Sequence, residues 1–178
     1  MKLRLTVALL ATSWLITALT ACANPNDFTV PSATSQATFK LGEARGKFVA
    51  LHFLLKTECP YCLRYTRDYF TKSASLPNVI QIFLKPDTEA EIKLWANKLP
   101  ADELAQYPIY RDAEAKLANA FGIPDGYQFH DQIVHYPATV LLDPAGKEVF
   151  RYVGRDNRDR WAFEKLAEKV SELLKSKP

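Results

Sequence analysis

The sequence predicts an α/β domain in which helices flank a central mixed β-sheet, followed by a C-terminal antiparallel hairpin and a helix. Three observations support this class. Two near-continuous apolar runs have the length of strands that are covered on both faces. Amphipathic segments with helical spacing alternate with these runs. Near its end the chain has two strand-like segments joined by a turn that contains proline and glycine.

Each predicted element follows from its own pattern. The helix after the first apolar run begins at Pro60, a first-turn position where the missing N–H costs nothing, and the last helix has lysines near its end, which suits the helix dipole. The predicted strands span residues 48–55, 79–84, 107–110, 138–142 and 148–153. The predicted helices span residues 60–72, 92–99, 113–121 and 158–175.

The N-terminal region is predicted to precede the folded domain. Residues 1–21 combine Lys2 and Arg4 with an apolar run too short to span a bilayer, which is typical of a secretory signal peptide. Residues 22–36 are rich in Asn, Pro, Ser and Thr and have no apolar periodicity, so they predict a flexible tether. The folded domain is therefore expected over residues 37–178.

The end of the signal peptide, Leu19-Thr20-Ala21-Cys22, resembles the lipobox of bacterial lipoproteins. The resemblance implies that the signal is cut before Cys22 and that lipid on this cysteine tethers the domain to a membrane. The expected location is the bacterial cell envelope, on the periplasmic face. The alternative is a plain secretory signal followed by an unrelated cysteine.

Composition, net charge and cysteine count exclude some classes of partner and of domain. The 178 residues are 48% hydrophobic, which is typical of one globular domain. The net charge of +3 is too small to indicate a nucleic-acid partner. The three cysteines, Cys22, Cys59 and Cys62, are too few for a disulfide-stapled module. A domain of this length needs no such support, so its cysteines are free for chemistry.

The predicted chemistry is concentrated at Cys59-Pro60-Tyr61-Cys62, after a strand and at the start of a helix. This spacing can close a small disulfide ring and suits reversible oxidation. At the helix N-terminus, unpaired N–H groups and the Lys56 ammonium would stabilise a Cys59 thiolate. Cys59 is therefore the expected nucleophile, and the more shielded Cys62 is expected to resolve the mixed disulfide. Tyr61 is an expected contact surface for a partner.

Two other uses of the cysteine pair are less consistent with the sequence. A zinc site would need two more ligands, and the rest of the domain offers only His52, His130 and His135. An inert structural disulfide over so short a loop would constrain the unfolded chain little. No metal site is predicted, and no cofactor is expected beyond the redox-active Cys59–Cys62 pair.

From about residue 39 to residue 174 the sequence resembles the thioredoxin superfamily. The resemblance rests on Cys59-Pro60-Tyr61-Cys62, whose Pro-Tyr pair is typical of glutaredoxins, and on Tyr136-Pro137 before a predicted strand. It implies a thioredoxin-like fold in which Pro137 is cis and lies against the cysteine sulfurs. The backbone of Tyr136 would then pair with a bound substrate strand, and Pro60 and Tyr61 would also contact substrate. The alternative is an ordinary trans proline at the start of a strand.

Residues 46–53 and 110–118 are similar to the redoxin branch of that superfamily, which contains peroxiredoxins and membrane-tethered thioredoxin-like reductases. Peroxidases of this branch carry a proline seven residues, and a threonine or serine three residues, before the peroxide-attacking cysteine. These positions hold His52 and Lys56 before Cys59, and Leu55 and Cys59 before Cys62. The peroxide pocket is therefore not expected here.

Proton handling is expected to differ from that of thioredoxins. Their buried acid, six residues before the first cysteine, is replaced here by Phe53. Proton transfer would instead use water, Glu58 or a histidine. Of the histidines, His135 is the best placed, whereas His52 is expected in the core and His130 in a solvated loop.

The predicted function is thiol–disulfide exchange on protein disulfides, with the reducing direction favoured and with an unidentified electron donor or acceptor as the second partner. A thiol peroxidase that acts on a small peroxide is one alternative. A copper metallochaperone on the same fold, with Cys59, Cys62 and His135 as ligands, is the other. Such chaperones usually space their cysteines three apart, unlike this pair.

Overall fold

The computed structural model describes residues 27–56, 58–129 and 132–176. The predicted signal peptide, the candidate lipidation site Cys22 and His130 lie outside these residues. In the part of the chain that is described, no helix is both long enough and apolar enough to cross a membrane.

The described residues form nine strands, five α-helices and two short 3-10 helices. The strands are β1 (Thr29–Pro31), β2 (Thr38–Lys40), β3 (Phe48–Phe53), β4 (Val79–Lys85), β5 (Ile109–Arg111), β6 (Asp125–Phe129), β7 (Gln132–His135), β8 (Ala138–Leu142) and β9 (Glu148–Val153). The α-helices are α1 (Pro60–Ser73), α2 (Glu89–Ala96), α3 (Ala101–Gln106), α4 (Lys116–Ala120) and α5 (Phe163–Lys175). The 3-10 helices are Leu41–Ala44 and Ala113–Ala115.

Five strands form the central sheet, in the order β5-β4-β3-β8-β9. β3, β4 and β5 run parallel to one another, whereas β8 runs antiparallel to both β3 and β9. The sheet is therefore mixed, and the hairpin β8–β9 closes one edge before α5. This arrangement confirms the predicted fold class.

Both faces of the central sheet are covered, because every residue of β3 is buried. Alternate side chains of a strand point to opposite faces. Ala50 belongs to a core cluster with Tyr69 of α1 and Leu166 of α5. Its neighbour Leu51 belongs to a second cluster, which includes Ala118 of α4. The long helices α1 and α5 thus pack on one face of the sheet, and α4 packs on the other.

The structure corrects the predicted boundary between the tether and the domain. β1 pairs antiparallel with β2, and Ser32 forms an isolated β-bridge with Tyr110 of β5. Val30 and Ala33 are 6% and 1% exposed. The domain therefore includes residues that the sequence assigned to a flexible tether over residues 22–36. The segment was missed because so short a strand has no periodicity and is held by residues far along the chain.

The loop before α5 is a second difference from the sequence-based expectation, because α5 begins at Phe163 rather than at residue 158. The side chain of Asp156 accepts the backbone N–H groups of Arg158 and Asp159. Asp159 in turn accepts the N–H of Arg155. Such local bonds offer the backbone an alternative to the helix. Helix α3 and the hairpin β6–β7 were also not predicted.

Candidate redox site

The end of β3 and the start of α1 position the cysteine pair. α1 begins at Pro60, with Cys59 as its N-cap residue. Cys62 lies in the first turn of the helix and is 0% exposed, whereas Cys59 is 8% exposed. Both are free thiols in this structure. The pair therefore lies at the helix N-terminus, as the sequence predicts, and Cys59 has the more accessible sulfur.

The Cys62 sulfur is surrounded by hydrogen-bond donors. The backbone N–H of Leu55 donates to Cys62 Sγ at 3.3 Å, and Arg160 Nη2 donates at 3.4 Å. The same Arg160 nitrogen lies 3.5 Å from Cys59 Sγ. Donors that converge in this way stabilise negative charge on a sulfur.

Lys85, at the end of β4, is a second cation whose charge acts on Cys62. It is 0% exposed, and its Nζ donates to the backbone oxygen of Leu55 and lies 3.5 Å from Asp87 Oδ2. The same ammonium lies 4.5 Å from the centroid of the Trp95 ring. Leu55 therefore binds Lys85 through its carbonyl and Cys62 through its N–H. A lysine is almost never buried without partners, and here its charge acts on Cys62.

The two sulfurs share a negative charge that is centred on Cys62. Burial of Cys62 opposes ionisation, but the hydrogen bond from Cys59 and the charges of Lys85 and Arg160 outweigh burial and lower the pKa of Cys62 to about 6. The hydrogen bond to Cys62, burial, and repulsion by the Cys62 charge raise the pKa of Cys59. The sequence predicted the thiolate at Cys59. In the structure the donors converge instead on Cys62, the sulfur deeper in the site.

A cleft of about 170 Å³ opens at Cys59. Its lining residues come from the start of α1, the hairpin β6–β7 and the loop before α5, and they are Lys56, Glu58, Cys59, Pro60, Tyr127, Val134 and Asn157. The structure thus brings the predicted residues Lys56, Glu58 and Pro60 to the accessible sulfur. Among the described residues, however, no hydrogen bond joins Lys56 to either sulfur, and the cation that contacts the pair is Arg160.

A second groove, of about 340 Å³, adjoins the pair. It is lined by Tyr61, Arg64, Tyr65, Asp68, Arg158, Arg160 and Ala162. Arg160 both lines this groove and contacts the two sulfurs, so it links the groove to the cysteine pair. Tyr61, predicted as a contact surface, lies half-buried in this lining.

The predicted cis bond before Pro137 is wrong. All peptide bonds between described residues are trans, including the bond before Pro137. The backbone of Tyr136 already has partners, since its N–H donates to the oxygen of Pro124 at 3.0 Å and its oxygen accepts from His135 Nδ1 at 2.7 Å. These bonds hold the trans connection between β7 and β8, and the Tyr136 backbone is not free to pair with a substrate strand.

His135 is buried beside Phe53, with ring centroids 6.3 Å apart. Burial lowers the pKa of its imidazole. Its Nδ1 is engaged by Tyr136, and within the described part of the chain no hydrogen bond joins it to either sulfur. The described contacts therefore do not bring His135 to the cysteine pair.

His52 lies in the core, as the sequence predicts, and is 0% exposed. Its Nδ1 lies 2.8 Å from the Tyr65 hydroxyl, and its Nε2 lies 2.8 Å from Gln81 Oε1. Because an amide oxygen only accepts, Nε2 carries the proton and Nδ1 accepts from Tyr65. Burial lowers the pKa of His52 to about 4, so the ring is neutral at neutral pH.

Sequence reasoning missed the two cations that hold the charge on Cys62. Lys85 carried a weak signal, since it ends an otherwise apolar strand. Arg160 carried none, because the sequence placed it in a helix. Among the described residues, no three His, Cys, Asp or Glu side chains are grouped so that they could hold a metal ion.

Comparisons with known proteins agree with this fold. Residues 23–149 match the AhpC/TSA family, and a comparison with curated proteins found no match. Among solved structures, the exposed lipoprotein thioredoxin Etrx1 of Streptococcus pneumoniae is 20% identical, with a TM-score of 0.64, over 82% of this chain and 98% of that chain. Enterococcus faecalis AhpC is 19% identical, with a TM-score of 0.67, over 84% and 90%.

A secreted Mycobacterium tuberculosis disulfide oxidoreductase is 17% identical, with a TM-score of 0.60, over 83% of this chain and 97% of that chain. At these identities the likenesses show a thioredoxin-like fold. The family match shows membership of the family, because it covers well over half of the chain. The chain belongs to the AhpC/TSA family and, with its thioredoxin-like fold and paired thiols, is a redoxin of the thioredoxin superfamily.

Proposed function

We propose that this protein is a thiol–disulfide oxidoreductase that reduces protein disulfides through Cys59 and Cys62. One observation carries the proposal: the accessible Cys59 lies at a cleft beside Cys62, a buried sulfur that accepts hydrogen bonds from a backbone N–H and from Arg160. One sulfur can reach a substrate, and the other can accept its proton.

The first step joins the protein to the substrate. Cys59 Sγ attacks one sulfur of the substrate disulfide while its proton passes to the Cys62 thiolate. The substrate S–S bond breaks, and a mixed disulfide forms at Cys59. The leaving thiolate takes a proton from solvent, with the exposed Glu58 at the cleft as a relay.

The second step releases the substrate. Cys62 loses its proton to solvent, attacks Cys59 Sγ and breaks the mixed disulfide, so the second substrate sulfur leaves and is protonated. The cysteine pair loses two electrons, and the substrate disulfide becomes two thiols. Arg160 and Lys85 keep the resolving thiolate available at neutral pH, because their charges lower the pKa of Cys62. An external electron donor must then reduce the Cys59–Cys62 disulfide.

The substrate is proposed to lie across Pro60 and Tyr61, between the cleft at Cys59 and the neighbouring groove. Strand pairing at Tyr136, which the sequence suggested, is not part of the proposal, because the backbone of that residue is already hydrogen-bonded.

Stoichiometric reduction of a peptide disulfide tests this function. The reduced full chain, carrying Cys22→Ser so that two thiols remain, is mixed with a disulfide-linked peptide. We expect one peptide disulfide to be reduced for each protein molecule, with a loss of two hydrogens from the protein by mass spectrometry. A protein that leaves the peptide oxidised would refute the proposal.

A thiol peroxidase is the second candidate, favoured by the AhpC/TSA family match. In that reaction Cys59 would attack a peroxide oxygen to give a sulfenic acid and water or an alcohol, and Cys62 would then expel water to close the disulfide. His52 and Lys56 stand where such peroxidases carry proline and threonine or serine. Stopped-flow mixing with hydrogen peroxide separates the two functions. Peroxide oxidation faster than peptide reduction would favour the peroxidase.

We further propose that the protein is lipidated at Cys22 and tethered in the bacterial cell envelope. Support comes from Leu19-Thr20-Ala21-Cys22 and from an exposed lipoprotein among the similar structures. Expressed in a bacterium with its own leader, the chain should partition into detergent, and Cys22→Ala should be soluble or unprocessed. Mass spectrometry that finds an unmodified Cys22 on the mature wild-type chain would contradict lipidation.

A further inference from the structure

The groove beside Tyr61 carries a positive charge that disulfide exchange does not by itself require. Three of its lining residues are arginines, Arg64, Arg158 and Arg160, and we refer to it as the arginine groove. Its one acidic lining residue, Asp68, has Oδ1 at 2.5 Å from Lys72 Nζ, so this carboxylate is already paired. The groove therefore has an excess of positive charge.

Two of these arginines have no carboxylate partner among the described residues. Over the described ranges of the chain, neither Arg64 nor Arg158 forms an ion pair through its guanidinium. Both instead lie over the Tyr61 ring, with their guanidinium carbons 5.9 and 5.5 Å from the ring centroid. In contrast, the nearby Arg155 is paired with Asp159 at 2.9 Å. A guanidinium on an aromatic face keeps its N–H groups available for the planar edge of a carboxylate.

The arginine groove lies beside the cysteine pair. Arg160 forms part of its lining and donates to Cys62 Sγ, and Tyr61 lies between Cys59 and Cys62 in the chain. A peptide whose disulfide is held at Cys59 can therefore extend one flank over Tyr61. The volume of about 340 Å³ lies within the range of sites that bind small molecules or side chains.

We propose that the arginine groove selects substrates in which acidic residues flank the disulfide, by binding a carboxylate-bearing peptide segment beside Cys59. This inference rests on the proposed function and adds a substrate class to it. Opposite charge raises the rate of encounter and favours the docked orientation, and the effect falls as salt screens it. Because Arg64 and Arg158 are both exposed, each contributes a modest preference.

The test compares three peptide disulfides of equal length whose flanking residues are glutamate, glutamine or lysine. Each is mixed with the reduced full chain carrying Cys22→Ser, and second-order rate constants are measured. We expect the glutamate peptide to react fastest and the lysine peptide slowest. Arg64→Gln and Arg158→Gln should each slow the glutamate peptide by about two- to fivefold and so reduce its advantage over the glutamine peptide. High salt should remove the preference.

Arg67→Gln is the matched control, because Arg67 lies on α1 like Arg64 and is exposed. Its guanidinium donates to the backbone oxygen of Lys98 instead of lining the groove. It should change none of the three rate constants. Equal rates for the three peptides, or a fastest lysine peptide, would overturn the inference while leaving the proposed function intact. Failure to reduce any of the peptides would instead overturn the proposed function.

Discussion

At Cys62, two hydrogen-bond donors and a buried cation from three distant parts of the chain act on one buried sulfur. Leu55 follows β3, Lys85 ends β4, and Arg160 belongs to the loop before α5. A charge that is removed from water is costly unless it is paired and hydrogen-bonded. The convergence of these groups explains why a cysteine with no exposed surface has a lowered pKa, and why the pair holds its charge away from solvent.

Replacement of Arg160 tests this convergence. Arg160→Met removes a charge and a donor at similar length, so the pKa of Cys62 should rise from about 6 by on the order of one unit. Because the reduced pair loses stabilisation, its reduction potential should become more negative, by about 30 mV for each tenfold change in the equilibrium constant. Thiolate ultraviolet absorbance against pH and equilibration with glutathione measure the two effects.

The control is Arg158→Met, in the same loop without a sulfur contact among the described residues, which should leave both values unchanged. An unchanged titration in Arg160→Met would show that Arg160 does not lower the pKa of Cys62.

Stability should depend on pH through His52. In the unfolded chain this imidazole takes up a proton near pH 6.5, but in the folded protein only near pH 4, because burial opposes the charge. The unfolded state therefore binds more protons between these values, and the free energy of unfolding should fall as the pH drops from 6.5 to 4, by up to about 3 kcal/mol. The buried His135 acts in the same direction.

Urea denaturation at several pH values measures this dependence. His52→Gln should lower stability near neutral pH, since it disturbs the bonds to Tyr65 and Gln81, and should also flatten the pH dependence. A wild-type free energy of unfolding that stays constant from pH 6.5 to pH 4 would show that His52 is not buried as a neutral ring.

Among the elements, the connection from β9 to α5 has the strictest packing. Gly154 follows β9, and its N–H donates to the oxygen of Pro137 at 2.8 Å. A Cβ at Gly154 would lie 2.8 Å from Pro137 Cγ and closer still to the backbone oxygen of Asp159. The backbone can approach Pro137 this closely only at a glycine. This contact fixes the start of the loop that brings Arg160 to the sulfurs.

Gly154→Ala should therefore destabilise the fold by roughly 1–3 kcal/mol and, by displacing Arg160, raise the pKa of Cys62. Thermal unfolding and thiolate titration measure these effects. The control is Gly42→Ala, since a Cβ there meets only the Asp27 carboxylate at 3.4 Å, an ordinary contact. A Gly154→Ala variant as stable as Gly42→Ala would show that the loop is not held at this point.

The elements differ in how well sequence predicts them, and the difference has a physical cause. The sequence patterns are strong in β3 and β4, which are runs of mostly buried residues, and in α1, whose buried residues recur at helical spacing. β1 and the hairpin β6–β7 are short and owe their structure to pairing with other segments, which no local pattern encodes. The sequence predicts a helix from residue 158, but hydrogen bonds to Asp156 and Asp159 hold the chain before Phe163 in a loop.

Over the whole molecule, the mixed sheet brings residues that are far apart in sequence to the N-terminus of α1. The cysteine pair is a local signal, and its spacing together with its strand-to-helix context predicts disulfide exchange. Arg160 is 101 residues from Cys59 along the chain, so its contact with the sulfurs depends on the assembly of β8, β9 and α5. The same assembly leaves Cys59 at a cleft and Cys62 beneath it.

Cys59 is assigned as the nucleophile and Cys62 as the resolving thiol, although accessibility and charge favour different sulfurs. The most direct measurement is mass-spectrometric mapping of the mixed disulfide that a peptide disulfide forms with Cys62→Ser and with Cys59→Ser, each in a full chain carrying Cys22→Ser. We expect a stable adduct on Cys59 in the first variant and, because Cys62 is buried, almost none in the second. An adduct on Cys62 that forms at least as fast as the one on Cys59 would contradict the account.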